Sequence, residues 1–488
     1  MKLSEILRDT DVKLSDSNDI EIMGIEYDSR KIKKGFLFFA VKGEKSDGNS
    51  FIDEALVKGA AAIISDSKVK VKEYLFLSSG NIRKTMAVAS SNFYRKPSER
   101  IKLIGVTGTN GKTTITFLIK HILESSGFKT GLIGTIDYAS GNEVVRSTLT
   151  TPECIDINRM LSDMIDSGMT HCAMEVSSIA LVMHRTYGLK FEAAIFSNLT
   201  SEHLDFHKNM ENYFEAKKML FDTLNEEAFA ISNSDDKYGS SIISNTKAKK
   251  ILYSVNSPSE FKAENIISSL SGLKFNILNR SENDEIVSSL NGIFNVFNIL
   301  AAFSAAKSLM IKTENIIQSI EEFEGVPGRF NKIDLPNSSI AIIDYSHTSD
   351  SLKNAVLSAR EILISENNSG KLITIFGCGG NKDRSKRPVM GNIAVTNSDI
   401  AIITSDNPRF EDPFEIIDEI LSGINDHKNY EIIENRESAI RRGLELSGKG
   451  DIVLICGKGH ETYQEVKGIR TDFDDKKIVL KHKQRAEN

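Results

Sequence analysis

Ile101-Lys102-Leu103-Ile104-Gly105-Val106 is an apolar run, and after Thr107 it turns through Gly108-Thr109-Asn110-Gly111-Lys112-Thr113-Thr114 into a helical pattern. Strand, glycine loop and helix in that order form a phosphate cradle. The glycines let backbone N–H groups approach phosphate oxygens, Lys112 can neutralise the terminal phosphates, and the Thr113 hydroxyl can ligate Mg²⁺. A nucleoside triphosphate is therefore the first expected ligand. The usual form of this loop has glycine five positions before the Gly-Lys pair. Val106 stands there, so the shorter Gly-Thr-Asn-Gly-Lys-Thr form points to a subset of such proteins.

Working outward, a length of 488 residues predicts two to four domains, each able to bury a core. Its 61 basic and 67 acidic residues leave a net charge of −6, so no global field gathers nucleic acid or an anionic membrane. No segment is apolar for the length of a membrane span, and the stretch Met1 to Leu14 mixes acids and bases too early for a signal peptide. The expectation is a cytoplasmic monomer with small-molecule partners, no nucleic acid and no membrane. Cys154, Cys172, Cys378 and Cys456 are far apart without a C-x-x-C pair, which predicts small buried thiols and no disulfide framework.

Short apolar runs recur between amphipathic stretches: 102–106, 193–198, 341–346, 371–376, 399–404 and 451–456. This reads as α/β with mainly parallel sheets. Polar junctions at Arg95 to Arg100 and Val326 to Arg329 divide it into three domains, 1–98, 99–328 and 329–488. Residues of about 245–290, rich in Ser and Asn, read as extra strands and loops on the middle domain.

Polar residues follow directly on several apolar runs: Glu175, Asn198, Asp344, Asp406 and Gly457. Ligands of open α/β sheets bind at the carboxyl ends of strands, so these positions are site candidates as a group, although any one alone reads as a cap or turn residue. A carboxylate at a strand end near a phosphate loop is the usual holder of Mg²⁺, which makes Glu175 the leading metal ligand. His203, among polar residues in Ser197 to Asp205, becomes a second metal candidate beside such a loop. Lys217 alone reads as a solvated helix charge.

Gly-Thr-Asn-Gly-Lys-Thr at 108–113, Met174-Glu175-Val176-Ser177-Ser178, Asn198 to Asp205 and Ala216-Lys217, in this order and spacing, resemble the Mur ligase superfamily. The resemblance implies a small N-terminal α/β domain, a central P-loop ATPase-like domain and a C-terminal Rossmann-like domain. It implies amide-bond formation using ATP, in which a carboxylate is activated as an acyl phosphate and attacked by an amine. Lys112, Glu175, His203 and Lys217 would be catalytic. Thr113, Glu175 and His203 would hold two Mg²⁺ ions, joined by Lys217 once CO₂ has converted its amine into a carbamate, an anion that can orient a metal or the transferring phosphate. Further ATP contacts implied are Thr114, Asn295 and Asn298 from Leu290 to Asn298, Arg329 from Val326-Pro327-Gly328-Arg329, and Asp344.

Near the N-terminus, Tyr27-Asp28-Ser29-Arg30 and Lys34 to Gly43 resemble the domain that binds the UDP end of a muramyl substrate, placing Ser29 there; Thr150, Thr151, Ser177 and Arg185 match residues contacting its dipeptide. Asp344 to Asp350, Gly377-Cys378-Gly379-Gly380, Lys386-Arg387-Pro388 and Gly457-Lys458-Gly459-His460-Glu461 narrow the likeness to members that add the third residue, a diamino acid. Asp406-Asn407-Pro408-Arg409 marks those adding meso-diaminopimelate. A guanidinium fork can bind the distal carboxylate, which lysine lacks, while Gly457 and Glu461 would accept the distal ammonium. The alternative for Arg409 is a rim arginine pairing with Glu411 or Asp412. The chain departs from the family pattern at Asn381-Lys382, where Asp-Arg is common, at Ile179 for His, and at Ser346 and Ser349 for Ala and Pro. Lys382 keeps the charge of the amine-site arginine without its fork. LL-diaminopimelate, lanthionine or L-lysine as amine, a folate-extending ligase, and a P-loop ATPase that forms no amide are the competing readings.

Overall fold

The computed structural model describes every residue except 44–45, 68–73, 141–142, 148, 280–281, 366–368 and 488. Its frame is an 11-stranded sheet built on the phosphate-loop strand Lys102–Thr107. That strand is buried except at Lys102, and it pairs in parallel with Ala193–Phe196 on one side and His171–Glu175 on the other. Runs of apolar residues on both faces are what a sheet covered by helices demands. One cover is the helix Lys112–Ser125, which buries Ile115, Leu118, Ile119 and Ile122, a 3.6-residue stripe. It packs against the helix Ile293–Ser308, whose alanines let the two come close and which is buried almost all round. Each fully buried Ile or Leu contributes about 1.5–3 kcal/mol through apolar burial.

Parallel pairing runs from Phe261–Ser269 through Lys249–Ser254, Phe229–Asn233 and the central strands to Thr130–Ile133. Both edges are antiparallel additions. One is the meander Phe261–Ser269, Gly272–Asn279 and Glu282–Ser288, as expected for the polar segment near 245–290. The other edge carries Asp137–Ser140 and Glu143–Arg146, which the sequence reading did not separate from loop.

A 4-stranded parallel sheet, Gly24–Glu26, Phe36–Phe39, Ala62–Ser65 and Leu75–Ser78, makes the N-terminal unit. Cys154 and Ile155 of the central helix Cys154–Asp166 enter its core. Tyr27 Oη donates to Asp156 Oδ2 at 2.8 Å on the same helix. The C-terminal 6-stranded sheet is parallel apart from its first strand, Asn331–Asp334. Ile452–Cys456 lies between Ile340–Asp344 and Leu372–Phe376, so the chain order reverses there. Such a reversal opens a crevice at the carboxyl ends of its strands. All four cysteines are buried and free, which for Cys172, Cys378 and Cys456 follows from the apolar runs in or beside which they lie. Among the described residues no helix is long and apolar enough to cross a membrane.

Candidate active site

The phosphate loop closes the carboxyl end of Lys102–Thr107 and starts a helix at Gly111, whose φ of 88° suits glycine. There is no room for side chains: a Cβ at Gly108 would collide with Ser197 Oγ, and one at Gly111 with Asn298 Oδ1. Asn298 thus props the turn, and its Nδ2 donates to Asn295 Oδ1 at 2.8 Å. Asn295 lines a cavity of about 250 Å³ with Leu290, Asn291, Arg329 and Phe330. Lys112 Nζ donates to the carbonyls of Gly108 and Thr109 at 2.9 and 2.8 Å. Burial pushes its pKa down, against the pull of Glu202 and Glu175. Thr109 Oγ1 lies 3.2 Å from Tyr213 Oη, and Thr114 is buried in the first helical turn.

Glu175 ends its strand fully buried beside the loop, accepting from Thr135 N at 2.8 Å and from Thr135 Oγ1 at 2.9 Å. Thr113 Oγ1 accepts from Arg329 Nη2 at 3.0 Å, and the Arg329 guanidinium stacks 4.5 Å from the Tyr345 ring. His203 sits at φ 57° before the short helix Leu204–His207, with Nε2 3.8 Å from Glu202 Oε2; burial lowers its pKa. Lys217 is not a solvated helix charge. It is 1% exposed, its Nζ donates to Gly108 O at 2.8 Å and lies 4.7 Å from the Tyr213 ring centre. The helix Met210–Asp222 points this face at the loop, and burial, then Lys112, holds the amine far below its usual pKa.

Glu202 lies within the stretch Asn198 to Asp205 and faces the C-terminal unit. Its other oxygen, Oε1, is 3.5 Å from His347 Nε2 of the C-terminal unit. Burial opposes its charge, but the His347 and His203 imidazoles and Lys112 outweigh that and hold the carboxyl well below its usual range. Asn110 Nδ2 donates to Asp350 Oδ2 at 2.9 Å, a second polar contact between the two units.

Thr150, Thr151, Ser177 and Arg185 gather beside Glu175. Thr135 Oγ1 is 3.1 Å from Thr150 Oγ1, Thr151 Oγ1 donates to Glu175 O at 2.9 Å, and Ser177 N donates to Thr151 Oγ1 at 3.0 Å. Arg185 Nη1 donates to Thr151 O at 3.0 Å and its Nε pairs with Glu153 at 2.8 Å. Ser29 is separate, buried in the N-terminal unit, with Oγ donating to Glu54 at 2.7 Å.

In the C-terminal crevice, Asp406 to Arg409 follow the strand Ile400–Ile403, and Gly457 to Glu461 follow Ile452–Cys456. Asn407 Nδ2 donates to Glu461 Oε2 at 2.9 Å, and a Cβ at Gly457 would meet Asp406 Oδ2 at 2.5 Å. Burial and Asp406 raise the Glu461 pKa, opposed by Lys458. Arg409 takes φ 53° and donates Nη1 to Gly380 O at 2.8 Å. It is no rim partner of Glu411, which pairs instead with the buried Arg387 at 2.8 Å. The Pro408 carbonyl fills the space a Cβ would need at Gly380, and Lys382, exposed, has its stem beside Gly379. Asp344 is spoken for locally: Phe330 N and Ser346 N donate to its two oxygens at 2.7 and 2.8 Å, which fixes the hinge after Arg329.

Known proteins resemble the chain over its whole length. Family models described as the Mur ligase family catalytic domain, the Mur ligase middle domain and the Mur ligase glutamate ligase domain match residues 21–108, 106–306 and 328–459. A UDP-N-acetylmuramoyl-L-alanyl-D-glutamate–2,6-diaminopimelate ligase of Clostridium tetani is 42% identical over 487 residues, 98% of each chain. One of Bacteroides fragilis is 41% identical over 484 residues, again 98% of each. A solved structure of a ligase with that name, 30% identical, superposes with a TM-score of 0.70 over 100% of this chain and 99% of that one. The MurF ligase of Thermotoga maritima in complex with ADP, 18% identical, shares the fold at a TM-score of 0.66 over 97% and 99%. With its N-terminal, central and C-terminal sheets each overlapped by a domain of one family, and full-length relatives at about 40% identity, the chain belongs to the Mur ligase family.

Proposed function

We propose that the chain is an ATP-dependent ligase that adds meso-2,6-diaminopimelate to the D-Glu γ-carboxylate of UDP-MurNAc-L-Ala-D-Glu, in cytoplasmic synthesis of peptidoglycan precursor. The observation that carries the choice of amine is one crevice whose strand ends supply both Arg409, with Nη1 on the Gly380 carbonyl, and Glu461, held by the Asn407 amide. A guanidinium and a carboxylate in the same crevice match the carboxylate and ammonium of a second amino-acid end. The names of the relatives support the same amine.

The phosphate loop receives the triphosphate, and Lys112 turns from the loop carbonyls to the γ-phosphoryl group as it passes to the substrate carboxylate. The amine then attacks the acyl phosphate, forming the amide and releasing phosphate. Catalysis is positioning and electrostatics. The donors fit Mg²⁺: Thr113 and Glu175 offer hard oxygens beside the loop, and substrate phosphates would complete the shell. His203 and Lys217 would hold a second ion. Mg²⁺ supplies charge neutralisation between ATP and the carboxylate. Burial, then Lys112, pushes the Lys217 pKa well down and so favours the free amine, the form that attacks CO₂, forming an N–C bond and releasing one proton. Thr150, Thr151, Ser177 and Arg185 take the dipeptide, and Ser29 the UDP end. The domains are taken as 1–98, 99–328 and 329–488, acting as a monomer.

The test is a panel of meso- and LL-diaminopimelate, lanthionine, L-lysine and L-glutamate, with ATP and UDP-muramyl dipeptide, read by phosphate release and by the mass of the UDP product. Release with meso-diaminopimelate at least tenfold above the others is expected. Preference for another amine overturns the assignment, and ATP turnover indifferent to the dipeptide overturns the ligase reading.

A further inference from the structure

Lys458 lies between two residues already placed in the amine crevice, Gly457 and Glu461, yet it has no part in the reading above. It is 0% exposed. A lysine is seldom buried without partners, because its desolvation is costly. Here Nζ donates to Asn407 Oδ1 and to Tyr463 O, both at 2.8 Å, and stands 3.7 Å from Asp406 Oδ1 and 3.7 Å from Glu461 Oε2. The rings of Tyr463 and Phe473 flank the ammonium at 5.8 Å.

These contacts decide which way the Asn407 amide faces. Lys458 Nζ and Glu465 N, the latter at 2.9 Å, are donors only, so both require the amide oxygen. The amide nitrogen is thereby turned to Glu461, where it donates at 2.9 Å. Glu461 Oε2 is held by this relay, and the orientation of its carboxylate follows. The same ammonium sits between the Asp406 and Glu461 carboxylates and offsets their mutual repulsion.

We propose that Lys458 is a positioning residue of the amine crevice: by fixing the Asn407 amide it orients the Glu461 carboxylate, and so sets selection for an amine carrying a second amino-acid end. The proposal rests on the crevice being the diaminopimelate site.

Lys458→Met and Glu461→Gln, singly and together in the full-length protein, test it by steady-state kinetics with ATP, UDP-muramyl dipeptide and meso-diaminopimelate. Lys458→Met is expected to raise the KM for diaminopimelate at least tenfold while the KM for ATP stays within twofold. Adding Glu461→Gln to it should raise that KM less than threefold further, because both changes break one relay. Multiplicative effects, or equal rises in the KM for ATP and for diaminopimelate, overturn the proposal. If Lys458→Met is insoluble, Asn407→Leu replaces it in the same cycle with the same expected and overturning results. Wild-type protein that ignores diaminopimelate refutes the site reading instead, and the two failures are distinct.

Discussion

Arg409 and Lys217 show how far a single side chain carries function. Arg409 reaches into the Gly379-Gly380 turn from a left-handed backbone position, and no carboxylate of the described residues forms a salt bridge with it. A charge-assisted hydrogen bond is worth about 1.5–3 kcal/mol. Arg409→Ala should therefore raise the KM for diaminopimelate about 10- to 100-fold with little change in the KM for ATP; equal rises would mark a structural role. Lys217 gives the opposite lesson. Its place on a charged helix face reads as solvent, and only the fold reveals that the face meets the loop. Buried and pushed well below its usual pKa, it should carry a carbamate seen by ¹³C NMR after equilibration with ¹³C-bicarbonate. Lys217→Arg, charged at every working pH, should lose that signal and lower kcat at least 100-fold. A signal unchanged in the variant would remove the carbamate from this residue.

Elements, more than residues, were legible in the sequence. The buried strands announce themselves as apolar runs, and polar residues directly after several of them lie at the phosphate loop (Glu175, Asn198) or the C-terminal crevice (Asp406), because chain direction in a parallel sheet gathers the carboxyl ends. The edge strands Asp137–Ser140 and Glu143–Arg146 are not legible, since a two-stranded edge needs no apolar run. Roles for Glu202 and Lys458 also escaped, although both stand inside quoted motifs: side-chain direction in a turn follows φ and tertiary partners, which composition does not encode. Arg387 is another such case. Fully buried on the helix Lys386–Asn397, it ties Glu411 and Glu419, each at 2.8 Å, and donates to Gly379 O at 3.1 Å, so it supports the turn that Arg409 uses. Arg387 holds the Glu411 carboxyl down to about 2. A depressed folded-state pKa contributes stability that is complete above the unfolded value, near 4.3, and lost as pH falls towards 2. Arg387→Met should lower Tm at pH 7, since it removes the partner of both Glu411 and Glu419. It should also flatten the fall of Tm between pH 5 and 3. An unchanged acid limb in thermal unfolding would mean that Glu411 is not its source.

At the scale of the molecule, the chemistry needs the phosphate loop and the amine crevice brought together, and they belong to different sheets. Arg329 to Thr113, Asp350 to Asn110 and His347 to Glu202 join them, and two of the three touch the loop itself. Loop residues proposed to take ATP therefore also seat the C-terminal unit, and closure is expected to shield the acyl phosphate from water. A rate limited by closure or product release falls as solvent viscosity rises, so kcat in sucrose should fall nearly in proportion to relative viscosity. Asp350→Ala removes one neutral-to-charged hydrogen bond across the joint, worth about 1.5 kcal/mol, and makes the closed form about tenfold rarer. Its kcat should drop about tenfold while ATP binding, read by calorimetry, stays within threefold. With closure now a rapid, unfavourable step before chemistry, the viscosity dependence should nearly vanish in this variant. If instead the variant keeps the full viscosity dependence, Asp350 does not govern closure, and the joint is held by its other contacts, Arg329, Glu202 and the Phe294–Phe330 packing among them.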